Sequence, residues 1–297
     1  MNKCEGIVSA LMTPFTKEGK LDENVLRKYV RHNIDRMKVD GLYVGGSTGE
    51  GLLMSKEERI AVLEITKEEA ANKIGLIAHI GSLELDAACE MAQNAEELGY
   101  DLISAVLPYY YPFKFPAVKK YYETILNATK NVGLVLYYIP VLTKAEISVD
   151  NFAELFENKR VVGIKYTDAD VFTLERIIKK YPGKTLWAGF DEMFIAYAAY
   201  GLRSGIGSTY NIQAPIIKSI AEAMNNKDLD KALELQHKAN DVISTLLKVG
   251  IYPALKEVVT YFDPTAVAYC RAPIMASVKD EDKKVLKDMF EKYLSNF

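Results

Sequence analysis

Gly6-Ile7-Val8-Ser9-Ala10-Leu11 runs directly into Met12-Thr13-Pro14-Phe15. The first six residues read as a buried strand, and the segment after them decides the fold. A doubly wound open sheet places a glycine-rich phosphate turn after its first strand. Met12–Phe15 contains no glycine, so that architecture loses its main marker.

Working outward, short apolar segments recur at Gly41–Val44, Leu76–Ile80, Leu102–Val106, Leu134–Tyr138, Val162–Lys165, Thr185–Ala188 and Gly205–Gly207. Amphipathic stretches separate them, near 22–37, 55–72, 84–98, 116–129, 145–158, 171–180 and 190–201. Ser55-Lys56-Glu57-Glu58 has the form of a capping box at the head of the second stretch. Eight strands alternating with seven helices predict a parallel (β/α)8 barrel of the TIM type. Beyond it the chain shows helices without clear strands, including a long amphipathic stretch near 228–249. The expected organisation is a barrel over 1–211 and a C-terminal helical extension over 212–297, forming one domain.

Composition narrows the function. Acidic and basic residues are interspersed and sum to a net charge of -3, so no basic stripe exists to bind nucleic acid or an anionic membrane. Cys4, Cys89 and Cys270 are odd in number and far apart, which suits a reducing compartment better than a disulfide framework. No signal-peptide pattern opens the chain, and no apolar run approaches the ~20 residues of a membrane helix. A cytoplasmic protein is expected.

Lys165 is the anomaly of the sixth strand, Val161-Val162-Gly163-Ile164-Lys165-Tyr166. Lysines are rarely buried without a partner. Alternation puts Lys165 on one face with Val161 and Gly163, and Gly163 is expected to leave space beneath the amine. Inside a barrel, desolvation favours the neutral amine, the form that attacks a carbonyl to make a Schiff base. Lowering a lysine from ~10.4 to about 7–8 costs roughly 3–5 kcal/mol. The alternative is a lysine that snorkels to solvent or pairs with Asp168 or Asp170.

The other strand ends supply company for it, since barrel enzymes place their chemistry at the C-terminal rim. They carry Gly45-Gly46-Ser47-Thr48-Gly49-Glu50, Tyr109-Tyr110-Tyr111, Tyr137, Gly189-Phe190-Asp191-Glu192 and Gly207-Ser208-Thr209. Gly45–Glu50 could bind a carboxylate through backbone N–H groups and two hydroxyls, or simply be a tight connection. It also matches the G-x-S-x-G elbow of serine hydrolases, although Glu50–Met54 intervene before the helix. Only His79 and His237 follow Ser47 to complete a triad. No metal is expected, because the histidines lack ligand spacing. The aromatics of Tyr109–Phe115 suit packing or an oligomer contact. Tyr137 shares a face with Val135 and Gly133, so its phenol would enter the same lumen and could shuttle protons. Asp191 and Glu192 are either helix-start acids or hydrogen-bonding partners for a polyol.

Taken together, Gly46-Ser47-Thr48-Gly49-Glu50, Pro108-Tyr109-Tyr110-Tyr111, Tyr137-Tyr138-Ile139-Pro140 and Gly163-Ile164-Lys165-Tyr166-Thr167 resemble the pyruvate-dependent class I aldolases of the dihydrodipicolinate synthase and N-acetylneuraminate lyase family. The likeness spans nearly the whole chain. The synthases carry an arginine two residues after the proline of Tyr-x-x-Pro. Leu142 stands there, as in the lyases, and cannot hold a carboxylate bidentately. Tyr138, Leu107 and Lys144 depart from the common pattern, where many members have Asn, Thr and, in the lyases, Gly. Lys144 stands on a rim loop from which it could alter the pocket for the sugar tail, which leaves the sugar specificity open.

The resemblance implies reversible cleavage of N-acetylneuraminate to pyruvate and N-acetylmannosamine by a homotetramer without cofactor. Lys165 would form the Schiff base and Tyr137 take the proton, with Ser47 and Tyr110 as a relay and one Tyr109–Tyr111 aromatic contributed by a neighbouring subunit. Ser47 and Thr48 would bind the carboxylate, and Thr167, Gly189, Asp191, Glu192 and Ser208 the sugar tail. The alternatives are an aldolase of the same fold for another 2-keto acid, either a 2-keto-3-deoxy sugar acid or a dihydrodipicolinate synthase-like substrate, a serine hydrolase, or a non-catalytic sialic acid sensor.

Overall fold

The computed structural model describes residues 3–145 and 147–297. Eight parallel strands close in sequential order: β1 Ile7–Ala10, β2 Gly41–Val44, β3 Gly75–His79, β4 Leu102–Val106, β5 Gly133–Tyr138, β6 Val161–Tyr166, β7 Thr185–Ala188 and β8 Ser204–Gly207. The final pairing joins β8 back to β1, with Ile7 opposite Gly205. Closure leaves no sheet edge, and the doubly wound alternative is excluded.

The ring of helices comprises α1 Glu23–Arg31, α2 Lys56–Ala70, α3 Leu85–Glu97, α4 Phe115–Ala128, the single turn α5 Pro140–Thr143, α6 Val149–Phe156, α7 Val171–Lys180 and α8 Phe194–Ala199. The capping box at Ser55 and Glu58 forms as expected, a feature worth about 1 kcal/mol to a helix start. The helix expected over 145–158 is confined to α6, capped by Ser148, and Glu146 lies outside the described residues.

The expected 211/212 boundary falls within the first turn of α9 Tyr210–Asn225, which packs on β1 and completes the ring. After it come α10 Leu229–Val249, α11 Ile251–Phe262 and α12 Asp280–Tyr293. Among the described residues, no helix is long and apolar enough to cross a membrane.

Two apolar cores follow from strand alternation. One lies between strands and helices, and a smaller one fills the lumen with residues such as Tyr43, Val135, Trp187 and Ile206. The alternation slips once. Pairing of β5 with β6 shifts between Leu134 and Val135, so Leu134 opposes Val161 while Val135 opposes Gly163. Val161 therefore packs in the outer core and Val162 leans on the lumen. This corrects the expectation that Val161 shares the face of Lys165. A bulge inserts one residue and inverts the parity on its far side.

Candidate active site

Lys165 enters the lumen near the C-terminal end of β6 and is 6% exposed. Its amine lies 4.1 Å from the ring centre of Tyr137 and 4.6 Å from that of Tyr43. Burial lowers its pKa to about 7, against an opposing pull from the Asp191 carboxylate. The snorkelling and surface-pairing readings fall away. Asp170 caps α7 by accepting from the Thr173 N–H, and the Asp168 carboxylate accepts from the Asp170 N–H. The space expected at Gly163 is already filled, since a Cβ there would stand 1.9 Å from the Thr185 carbonyl oxygen and 3.0 Å from the Trp187 ring. Glycine is needed because β7 closes in on it, and the Trp187 indole, donating to the Cys4 carbonyl at 2.8 Å, floors the site.

Tyr137 is the register partner of Lys165. Burial raises its pKa, and the hydroxyls of Ser47 and Thr167 pull it back. Ser47, from the loop after β2, and Thr167, just past β6, line the same cavity as the phenol. In the β2 loop, Gly45 adopts φ +77°, Glu50 N–H donates to the Ser47 carbonyl, and Gly51 N–H donates to that of Gly46. Thr48 and Ser208 share a hydrogen bond of 2.7 Å, tying the loops after β2 and β8.

This arrangement removes the hydrolase reading. Ser47 is followed by a 3-10 turn at Gly51–Leu53, and α2 starts only at Lys56, so no nucleophile elbow forms. The ring nitrogens of His79 face the Gly45 carbonyl and the Val106 N–H, and burial first, then the nearby Arg59 guanidinium, hold the imidazole neutral. Arg59, which the sequence did not single out, is buried and donates to the carbonyls of Gly81 and His79.

Asp191 lies on the opposite wall. One carboxylate oxygen accepts from the Thr209 N–H at 2.8 Å and from its hydroxyl at 2.7 Å, and the other is buried with no partner among the described residues. Burial raises its pKa to about 6, against the Thr209 hydrogen bonds. Unpaired and desolvated, that second oxygen is poised to accept from a ligand hydroxyl. Two glycines make room for this wall. A Cβ at Gly207 would fall 2.0 Å from Asp191 Oδ1, and one at Gly189 would fall 1.9 Å from Thr167 Oγ1.

Ser47, Thr48, Tyr137, Lys165, Thr167, Gly189, Asp191, Glu192 and Ser208 meet around one cavity of about 200 Å³. Leu142, from α5, lines it as well. So do Ile243, Leu247, Ile251 and Tyr252, which sequence reading missed. These flank Gly250, at φ +109° between α10 and α11. The usable signal was the glycine followed by Pro253, a break that turns the extension back over the barrel mouth.

Tyr110 is not in this cavity. It is 84% exposed, at φ +74°, with its ring 5.1 Å from that of Tyr111, so within its own chain it cannot serve as a relay. Lys144 also lies outside the residues lining the cavity. It caps α5 at φ +55°, a left-handed position that favours glycine. Tyr138 turns to the outer core and stacks on Tyr166, and Leu107 is buried in that same core.

Fold and site together define a (β/α)8 barrel protein with a buried, desolvated lysine opening on a small cavity of mixed polar and apolar lining at the C-terminal rim. The chain belongs to the dihydrodipicolinate synthetase family, which matches residues 3–292. It is 44% identical to an N-acetylneuraminate lyase of Pasteurella multocida over 99% of this chain and 100% of that one. A Clostridium difficile protein solved in complex with mannosamine superposes with a TM-score of 0.95 at 44% identity, covering 98% of this chain and 99% of the other. The Fusobacterium nucleatum N-acetylneuraminate lyase complexed with pyruvate gives a TM-score of 0.92 at 42% identity, covering 99% and 98%.

Proposed function

We propose that this chain is a class I aldolase that reversibly cleaves N-acetylneuraminate to pyruvate and N-acetylmannosamine. The observation that carries the reading is Lys165, an amine buried at the end of β6 and facing a cavity with a phenol on one side and a carboxylate on the other.

The neutral amine attacks the C2 ketone of the open-chain sugar, and loss of water leaves an imine. Protonated, the imine accepts the electron pair of the breaking C3–C4 bond, so the lysine itself supplies the electron sink and the scheme uses no cofactor. Tyr137 takes the proton of the C4 hydroxyl as that carbon becomes an aldehyde, helped by the Ser47 hydroxyl. Protonation of the enamine at C3 and hydrolysis then release pyruvate and restore the amine. Ser47 and Thr48 hold the carboxylate, while Thr167, Gly189, Asp191, Glu192 and Ser208 hold the tail. The uncharged Leu142 on the cavity wall favours a polyol over a second carboxylate.

The exposed Tyr110–Tyr111 pair suits contact with a second subunit, and the proposal extends to a homotetramer in the cytoplasm whose neighbouring subunit lends an aromatic. Reduction with borohydride in the presence of pyruvate tests the chemistry: a mass increase located on Lys165 is expected, and its absence would sink every aldolase reading. Pyruvate release compared between N-acetylneuraminate and 2-keto-3-deoxy sugar acids then identifies the substrate.

A further inference from the structure

The carboxylate loop ends on a buried charge. Glu50 lies at φ +55°, and its side chain is fully enclosed. Oε1 accepts from Lys256 Nζ at 2.5 Å, and Oε2 accepts from the Arg271 backbone N–H at 2.7 Å. Lys256, on α11, is itself 2% exposed and donates a second hydrogen bond of 2.7 Å to the Tyr269 carbonyl. Tyr269 in turn pairs with Phe15 in the loop after β1. The Arg271 side chain grips Glu58 at the start of α2 with both nitrogens and reaches the Gly19 carbonyl. The C-terminal segment 256–271 thus braces the loops after β1 and β2.

Neither loop has slack. A Cβ at Gly49 would sit 2.9 Å from the Leu11 carbonyl oxygen, and one at Gly51 would sit 2.0 Å from that of Gly45. A loop packed so closely has few ways to accommodate a displaced Glu50. Removing one partner of a buried ion pair leaves an uncompensated charge, whereas removing both is often neutral. An unpaired Glu50 would have to reach for water, and Ser47 and Thr48, three and two residues back, would move with it.

We propose that Lys256 is a positioning residue for the substrate carboxylate, acting through Glu50 on the Ser47–Thr48 loop. The inference rests on the assignment of that loop to pyruvate.

The test is borohydride trapping of the full-length protein across a range of pyruvate concentrations, read by mass spectrometry. Lys256→Met should raise the half-saturating pyruvate concentration at least tenfold and leave the trapped fraction at saturation unchanged. Removing both charges, in Glu50→Gln with Lys256→Met, should bring half-saturation back to within about threefold of wild type. A merely structural lysine would lower the folded fraction, and hence the plateau, without moving half-saturation. That result, or a double variant no better than the single, overturns the proposal. If Lys256→Met does not fold, Lys256→Gln, which also removes the charge, replaces it under the same criteria. Failure of the wild type to form any adduct would instead overturn the aldolase assignment itself.

Discussion

Lys165 and Tyr137 face each other across the β5–β6 pair, with the amine 4.1 Å from the centre of the phenol ring. The contact has two opposed effects. An aromatic face attracts an ammonium, but the same ring helps exclude the water that would solvate it. Desolvation prevails, and the lysine is held near neutrality.

A pH dependence follows. The initial rate of pyruvate trapping should rise as the amine deprotonates, with its midpoint near about 7. Replacing Asp191 with Asn removes the carboxylate that favours the ammonium, so the midpoint should move to lower pH. A wild-type midpoint above pH ~9 would mean that the amine is solvated like an ordinary lysine.

Lys165→Met should abolish the adduct and stabilise the fold. The lysine's pKa is about 7 in the native state against an ordinary 10.5. Between those values the unfolded chain binds more protons, so this residue's contribution to stability rises with pH. Its burial penalty is fully present below about 7 and relieved above about 10.5. The methionine variant should therefore gain about 2–5 kcal/mol in urea unfolding at pH ~6 and lose most of that advantage at pH ~10. An unchanged midpoint at the lower pH would contradict the burial argument.

Tyr137→Phe keeps the ring against the amine but removes the proton acceptor. Lysine trapping with pyruvate should persist, while cleavage of the sugar falls by about 10²–10⁴-fold in single-turnover measurements. Cleavage within a few fold of wild type would assign the proton transfer elsewhere.

Gly207→Ala brings a methyl carbon to within 2.0 Å of the place that Asp191 Oδ1 now occupies. The carboxylate must move, with a cost in the range of about 1–3 kcal/mol for overpacking. The KM for the sugar should rise at least tenfold, while half-saturation by pyruvate alone stays near wild type. Equal losses on both would mean that Asp191 does not act on the tail.

The strands were legible because each is a short apolar run between amphipathic stretches, as with Gly41–Val44 and Thr185–Ala188. The rim residues were legible because a parallel barrel places the C-terminal ends of all its strands on one side. What escaped is what depends on neighbours far along the chain. The bulge at β6 arises from pairing with β5, and nothing local marks it. Gly163 looked like vacancy because Trp187, which fills the place, lies on another strand. The part of the cavity wall formed by Ile243, Leu247, Ile251 and Tyr252 depends on where the extension folds back, which helical periodicity does not specify. The departure from glycine at Lys144 likewise has a backbone side that the sequence does not show, since the residue caps α5 in the left-handed region, where glycine is favoured.

Glu50 finds its hydrogen-bonding partners 206 and 221 residues further along the chain. During translation, the first two βα units leave the ribosome long before α11 exists. For that interval the nascent loop carries a carboxylate whose lysine has not yet been made. Contacts of such sequence separation form late, after the entropy of closing a very long loop has been overcome. The segment carrying Lys256 and Arg271, made long after the loop it braces, therefore completes that loop: a chain cut short before α11 would bury Lys165 in its barrel but leave Glu50 without these partners.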